Sequence, residues 1–159
     1  MPETGEFSGV RPYRAQDFDA CMTVFDSNRP KYFSADERLQ FAAFLRQLPG
    51  PYLVVEDGAG RVVGCGGYAI DPETGVASFC WGMVERSLHG QGIGKRLSLA
   101  RLENIHRQPG VRGVRLDTGH HTRGFYENLG FRVTSIEKDG YWPGLDRCEM
   151  EWRPAAGQG

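Results

Sequence analysis

His89-Gly90-Gln91-Gly92-Ile93-Gly94-Lys95 follows the strand-like run Phe79-Cys80-Trp81-Gly82-Met83-Val84 and opens a helical pattern through Lys95, Arg96, Leu97, Leu99, Ala100, Leu102 and Ile105. A strand, a glycine-rich turn and a helix start make an anion cradle. Glycine lets backbone N–H groups approach a phosphate closely, and the unpaired amides and dipole of a helix start favour negative charge. The stretch therefore predicts a phosphate-bearing ligand held by main chain.

Two phosphate motifs do not fit. A nucleotide P-loop needs Gly, four residues, then Gly-Lys-Ser/Thr; His89 stands at the first position and Arg96 at the last. A dinucleotide fingerprint needs a third glycine where Lys95 stands, close to the first strand of a βαβ unit, whereas this strand lies mid-chain.

The segment resembles the acyl-CoA pyrophosphate loop of the GNAT superfamily of N-acetyltransferases, in which Arg/Gln-x-x-Gly-x-Gly/Ala is usual. Gly92 and Gly94 match, and His89 stands where Arg or Gln is common. Phe125-Tyr126-Glu127-Asn128-Leu129-Gly130-Phe131 looks like the superfamily's late signature, where a helix ends and a strand begins. The resemblance runs from about Val10 to Trp152 and is strongest from Phe79 to Phe131.

Composition sets the frame. A chain of 159 residues predicts one domain with its own core, here over 10–152, with disordered ends at 1–9 and 153–159. A net charge of -1 predicts no general attraction to nucleic acid or anionic membrane. No apolar run approaches the ~20 residues that span a bilayer, and the first residues lack a basic-then-apolar signal pattern, so a cytoplasmic location is expected. Cys21, Cys65, Cys80 and Cys148 are scattered with no Cys-x-x-Cys pair. They read as reduced structural thiols, and no metal is expected.

In chain order the patterns predict a strand over Val10–Arg14 and a helix over Asp17–Asp26 with Phe18, Cys21, Met22 and Phe25 at helical spacing. After a loop, Ser34 and Glu37 form a capping box for a second helix. Its apolar face is read as Leu39, Ala42, Ala43 and Leu45, with Phe41 and Phe44 alongside. Three antiparallel strands follow (Tyr52–Glu56, Arg61–Ile70, Val76–Val84), then the glycine loop and a helix to about Arg107. A strand over Val111–Thr118, a short helix over Thr122–Asn128 ended by Gly130, and strands over Phe131–Glu137 and Arg147–Trp152 complete the chain, with Asp139–Asp146 read as a loop. This order matches the GNAT arrangement: an α+β fold with a mixed, mostly antiparallel central sheet of about seven strands and helices on both faces.

The resemblance implies an acetyl-CoA-dependent N-acetyltransferase in which a primary amine attacks the thioester directly. A non-catalytic acyl-CoA sensor domain is the alternative reading. Cofactor-binding positions implied are Met83, Val84, His89, Gly90, Gln91, Gly92, Ile93, Gly94, Lys95 and Arg96. The strand end binds the pantetheine arm through its peptide groups, with the Val84 N–H as oxyanion donor. Tyr126 is the donor to the leaving thiolate. Glu85, His120 and His121 are candidate bases, with Asp117 and Glu56 as weaker options. Gly119 and Thr122 stand where the family commonly has Asn and Ala. Acceptor contacts are expected from Tyr32, Phe33, Tyr141 and Trp142, whose aromatic surface, beside Asp139 and Asp146, suits a small cationic amine. The partners are then acetyl-CoA and an amine, with a homodimer left open.

Overall fold

The computed structural model describes residues 9–29 and 33–153. The elements in order are β1 (Val10–Pro12), α1 (Phe18–Ser27), α2 (Ala35–Arg46), β2 (Tyr52–Glu56), β3 (Val62–Ile70), β4 (Val76–Val84), α3 (Ile93–His106), β5 (Gly113–Gly119), α4 (Arg123–Asn128), β6 (Arg132–Trp142) and β7 (Leu145–Trp152). The strands are hydrogen-bonded in the order β1-β2-β3-β4-β5-β7-β6. This is the mixed, mostly antiparallel sheet that the sequence predicts. The chain forms two compact units, Met1–Ala69 with Cys80–Arg107, and Ile70–Phe79 with Gln108–Gly159. Strand β4 begins in the second and ends in the first.

In the first unit β1, β2 and β3 pair antiparallel, with Val54 opposite Cys65 and Leu53 opposite Gly66. Alternation along β2 sends successive side chains to opposite faces. Tyr52 and Val54 join Cys21, Phe25, Phe41 and Leu45 of α1 and α2 in one cluster. Leu53 and Val55 join Ile93, Leu97 and Ala100 of α3 in another. A strand covered on both faces needs a continuous apolar run, which is why Tyr52-Leu53-Val54-Val55 carries no polar residue. Helix α3 also brings Arg101, 1% exposed, against the sheet. Its Nη1 donates to the Gly67 carbonyl at 3.2 Å. A Cβ built on Gly66 or Gly82 would meet the guanidinium at 3.1 or 3.0 Å, so glycine at those two strand positions makes the slot for the arginine.

The Ser34–Glu37 capping box forms as expected: the Glu37 N–H donates to Ser34 Oγ at 3.2 Å and the Ser34 N–H to Glu37 Oε1 at 3.0 Å. The apolar face of α2 differs from the expectation. Leu39 is 74% exposed, and the buried residues are Phe41 and Leu45. At about 100° per residue, Leu39 lies about 200° around the helix from Phe41, and the larger ring takes the core.

In the second unit β4 runs parallel to β5 over Val76–Ser78, and the pairing stops there. Strands β5, β7 and β6 are antiparallel. Val114, Leu116, Cys148 and Met150 are buried, while the alternate residues Arg115, Asp117, Arg147 and Glu149 carry ion pairs in solvent. The expected loop Asp139–Asp146 is instead the end of a long hairpin. Strand β6 continues to Trp142, which pairs with Leu145 across Pro143-Gly144. The glycine, proline and acidic content that reads as a loop is spent on a bulge at Asp139 (φ 55°) and a two-residue turn with Gly144 at φ 91°. The Asp139 carboxylate accepts the Gly144 N–H at 2.8 Å, and the Asp146 carboxylate accepts the Asp139 N–H at 3.0 Å.

Candidate active site

The junction between β4 and α3 is built from main chain held at several points. The Glu85 N–H donates to the Val63 carbonyl on β3 at 2.8 Å. Successive peptide groups of a strand point to opposite edges, so the N–H and C=O of Val84 face away from β3. The Val84 carbonyl accepts two side-chain bonds, from Asn28 Nδ2 at 2.9 Å and from His89 Nε2 at 2.9 Å. A carbonyl only accepts, so His89 carries its proton on Nε2. One residue earlier on α1, Ser27 Oγ accepts the Arg86 N–H at 3.0 Å. Asn28 is 2% exposed, and its amide also donates to the Val24 carbonyl at 3.0 Å. The C-terminus of α1 thus clamps the end of β4, a contact no local sequence pattern announces.

Gly90 and Gly92 take φ of 84° and 86°, and a Cβ at either would meet no atom within 4 Å. The first intrahelical bond of α3 runs from the Arg96 N–H to the Gly92 carbonyl at 3.0 Å. The amides of Ile93, Gly94 and Lys95 therefore point out of the helix start. The first turn holds no acidic residue. Lys95 is exposed and Arg96 half-buried, whereas the Ile93 side chain is 7% exposed and anchors the turn in the core. Open loop, unpaired amides and two cations fit a diphosphate.

Glu85 caps the single 3-10 turn Arg86–Leu88: its carboxylate accepts the Ser87 N–H at 3.4 Å and is bonded by the Ser87 hydroxyl. The Ser87 hydroxyl bond is the main reason its carboxyl is held below the usual range. Preceding it, Trp81 has φ of 46° within β4. Phe33 is stacked on Phe25, with centroids 4.6 Å apart. Tyr32 lies outside the described residues.

The second unit holds the other candidates. Tyr126, half-buried on α4, meets Phe125 and Phe131 edge-on at 5.0 and 5.8 Å. Its carbonyl takes the Leu129 and Phe131 N–H groups at 3.0 and 3.1 Å, and Gly130 at φ 101° lets the chain turn there. Its hydroxyl bonds to no described residue. His120 Nδ1 accepts the Asp146 N–H at 3.0 Å, so the neutral ring keeps its proton on Nε2. His121 lies against it at 4.4 Å between centroids. Tyr141 and Trp142 are neighbours at 6.4 Å, at the hairpin end. Cys21, Cys65, Cys80 and Cys148 form no disulfide among the described residues. Among the described residues no helix is long and apolar enough to cross a membrane.

This fold, with a glycine loop between its fourth strand and third helix, defines an acyl-CoA-dependent transferase. The description of the acetyltransferase (GNAT) family matches residues 18–131, more than half of the chain, and the chain belongs to that family. It is thus an acetyltransferase of a family that uses acetyl-CoA. No curated protein sequence matches it. Among solved structures it is similar to the ribosomal-protein-S18-alanine N-acetyltransferase of Escherichia coli, at 16% identity and TM-score 0.76 over 94% of this chain and 96% of that one. It is also similar to an aminoglycoside 6'-N-acetyltransferase complexed with coenzyme A, at 14% identity and TM-score 0.74 over 91% and 96%. A GCN5-related N-acetyltransferase from Kribbella flavida gives 19% identity and TM-score 0.73 over 91% and 96%. At these identities the likeness is one of fold.

Proposed function

We propose that the chain transfers the acetyl group of acetyl-CoA to a primary amine of a small molecule, by direct attack of the amine on the thioester, in the cytoplasm. The observation that carries this reading is the start of α3. There, three outward amides, two positive-φ glycines and the cations Lys95 and Arg96 lie in seven consecutive residues. A helix start normally selects acidic residues; basic ones belong where a polyanion binds.

Acetyl-CoA supplies the activated acyl group, and the chain's own groups do the rest. The Val84 N–H stabilises the oxyanion, a role supported by its direction away from β3 and by the two donors that fix the Val84 carbonyl. The Tyr126 hydroxyl donates to the departing thiolate. The attacking amine, with an ordinary pKa of about 10.4, must first lose a proton. Glu85 is a weak acceptor because Ser87 lowers its pKa. His120 has its Nδ1 lone pair committed to Asp146. We assign the proton to His121, whose ring lies against that of His120 at 4.4 Å between centroids, directly or through water.

Thermal unfolding with acetyl-CoA, CoA and ATP tests the cofactor. A ligand at 100 times its Kd stabilises by about 2.7 kcal/mol, so the two thioester-related ligands should raise the midpoint and ATP should not. Equal shifts with ATP would refute the reading. Thiol release on a panel of amines then tests the acceptor, and turnover of a peptide N-terminus with none of small amines would reverse that part.

A further inference from the structure

The first unit contains a group of side chains that acetyl transfer, as set out above, leaves unused. Trp81 sits in β4 with φ of 46°, a region that costs a bulky residue about 1–3 kcal/mol. Packing holds it there. Its ring lies 5.2 Å from Phe41, 6.0 Å from Phe33, 6.2 Å from Phe44 and 6.4 Å from Phe25. Its carbonyl accepts the Tyr52 hydroxyl at 2.8 Å. A conformation maintained against that cost, in the strand that leads to the oxyanion donor, calls for a use.

Burial within the cluster is uneven. Phe25 and Phe41 are fully buried, while Trp81 and Phe33 keep part of their surface in solvent. Phe33 rests on a rigid base, stacked on Phe25 with planes 16° apart. Rings already fixed lose little freedom when a ligand settles on them. Trp81 precedes Val84 by three residues, at most roughly 10 Å along the strand. An amine separated from a ring by two carbons fits within that distance.

The chemistry of the cluster selects among amines. The rings of Phe25, Phe33, Phe41 and Phe44 surround Trp81 with aromatic surface. Two acids at α1 are engaged already: Asp17 by Arg11 at 2.9 Å and Asp26 by Arg38 at 2.7 Å. A polyamine would give up the hydration of several charges against this aromatic surface, a large cost. A monoamine with an apolar body gives up only apolar hydration, which favours binding.

We propose that the acceptor carries its amine on an apolar, ring-sized body, and that Trp81 and Phe33 are the surface that selects it. This rests on the amine-acetyltransferase reading and names the substrate class for it. The test measures both binding and turnover. Binding of 2-phenylethylamine is followed by calorimetry, and thiol release from acetyl-CoA is compared for 2-phenylethylamine, butylamine and spermidine. The aromatic amine should exceed the other two in kcat/KM by about tenfold or more. Phe33→Ala should remove that advantage through KM, with the KM for acetyl-CoA unchanged. Phe33→Leu, which keeps an apolar side chain at a half-exposed site, should retain part of it.

Preference for spermidine, or an unchanged ratio in Phe33→Ala, overturns the selection while leaving acetyl transfer standing. Binding of 2-phenylethylamine that Phe33→Ala weakens, without turnover of any amine, supports the selecting surface and removes amine transfer. Neither binding nor turnover overturns both.

Discussion

The two compact units are held together in different ways. In the first, β3 is buried from Val62 to Tyr68, with α1 and α2 on one face of the sheet and α3 on the other. In the second, β6 is exposed over most of its eleven residues, and β5 and β7 hide only alternate side chains. Their open face is a ladder in which Arg115 and Arg147 sit among Asp117, Glu137 and Glu149. Packing on two faces fixes main chain to fractions of an ångström, because close-packed interiors transmit small displacements. The peptide groups proposed to meet the cofactor belong to the end of β4 and the start of α3, in this first unit. The side chains proposed to act through a hydroxyl or an imidazole, Tyr126 and His121, belong to the half-covered second unit.

The largest expected contrast is in stability. Phe41 is fully buried and contacts Phe25, Tyr52 and Trp81. Phe41→Ala should cost about 3–5 kcal/mol in chemical denaturation. A loss near 1 kcal/mol would mean that the aromatic cluster is looser than its geometry implies and that the contrast between the units is overstated. Tyr126→Phe probes chemistry in the second unit without disturbing packing, since the hydroxyl bonds to no described residue. Turnover should fall by about 100-fold, within the usual range for a proton donor, with CoA affinity by calorimetry unchanged. Unaltered turnover with the best acceptor would remove Tyr126 from the reaction.

How legible these features are follows the same division. The element order, the capping box at Ser34, the positive-φ glycines of the loop and the turn at Gly130 depend on residues within a few positions of one another, and local pattern reveals them. The clamp on Val84 joins Asn28 to a carbonyl 56 residues away, and an asparagine at a helix end has the same local pattern with or without it. Trp81 reads as one more residue of an apolar strand; its positive φ, and the four phenylalanines packed around its ring, are set by parts of the chain far from it in sequence. Leu39 reads as part of the buried face because composition alone does not say which of two overlapping stripes turns inward. The hairpin end hid behind Pro143 and two glycines, because loop-forming residues also build bulges and tight turns. Of the site, the cofactor loop and Tyr126 are motif-borne. The acceptor surface is tertiary, so the sequence names aromatic residues near it, such as Phe33, but not Trp81.

A smaller effect separates the units by pH. Asp17 in the first unit accepts both Arg11 nitrogens at 2.9 Å and the Arg14 N–H at 2.8 Å. The Arg11 bonds come first among the causes that hold its carboxyl below the usual range. A depressed carboxylate contributes stability that is complete above its unfolded pKa of about 3.9 and is lost as pH falls through the lower folded value. Asp17→Asn should cost about 2 kcal/mol at neutral pH, and its deficit should shrink on acidification. A deficit constant from pH ~6 down to ~2 would show that Asn replaces the carboxylate only sterically and that the charge contributes nothing.

The smallest effect is predicted for the most conspicuous ion pair. Arg147 reaches Asp117 at 2.7 Å, with Glu137 and Glu149 at 3.7 and 3.9 Å, but about a third of its side chain is in water. Exposed pairs are worth roughly 0.2–1 kcal/mol, because solvent screens them and ordering long side chains opposes them. Without Arg147, Asp117 and Glu149, opposite each other across the β5–β7 pair, keep among the described residues only Arg115, at 3.9 Å from each, and like charges at that spacing repel. Arg147→Ala should therefore cost less than about 1 kcal/mol in 0.15 M salt, and more at low ionic strength. Arg147→Ala combined with Asp117→Asn should recover most of the difference. A cost above that of Asp17→Asn, insensitive to salt, would show that the charge ladder holds the second unit as firmly as the aromatic cluster holds the first, and the contrast drawn between them would fail.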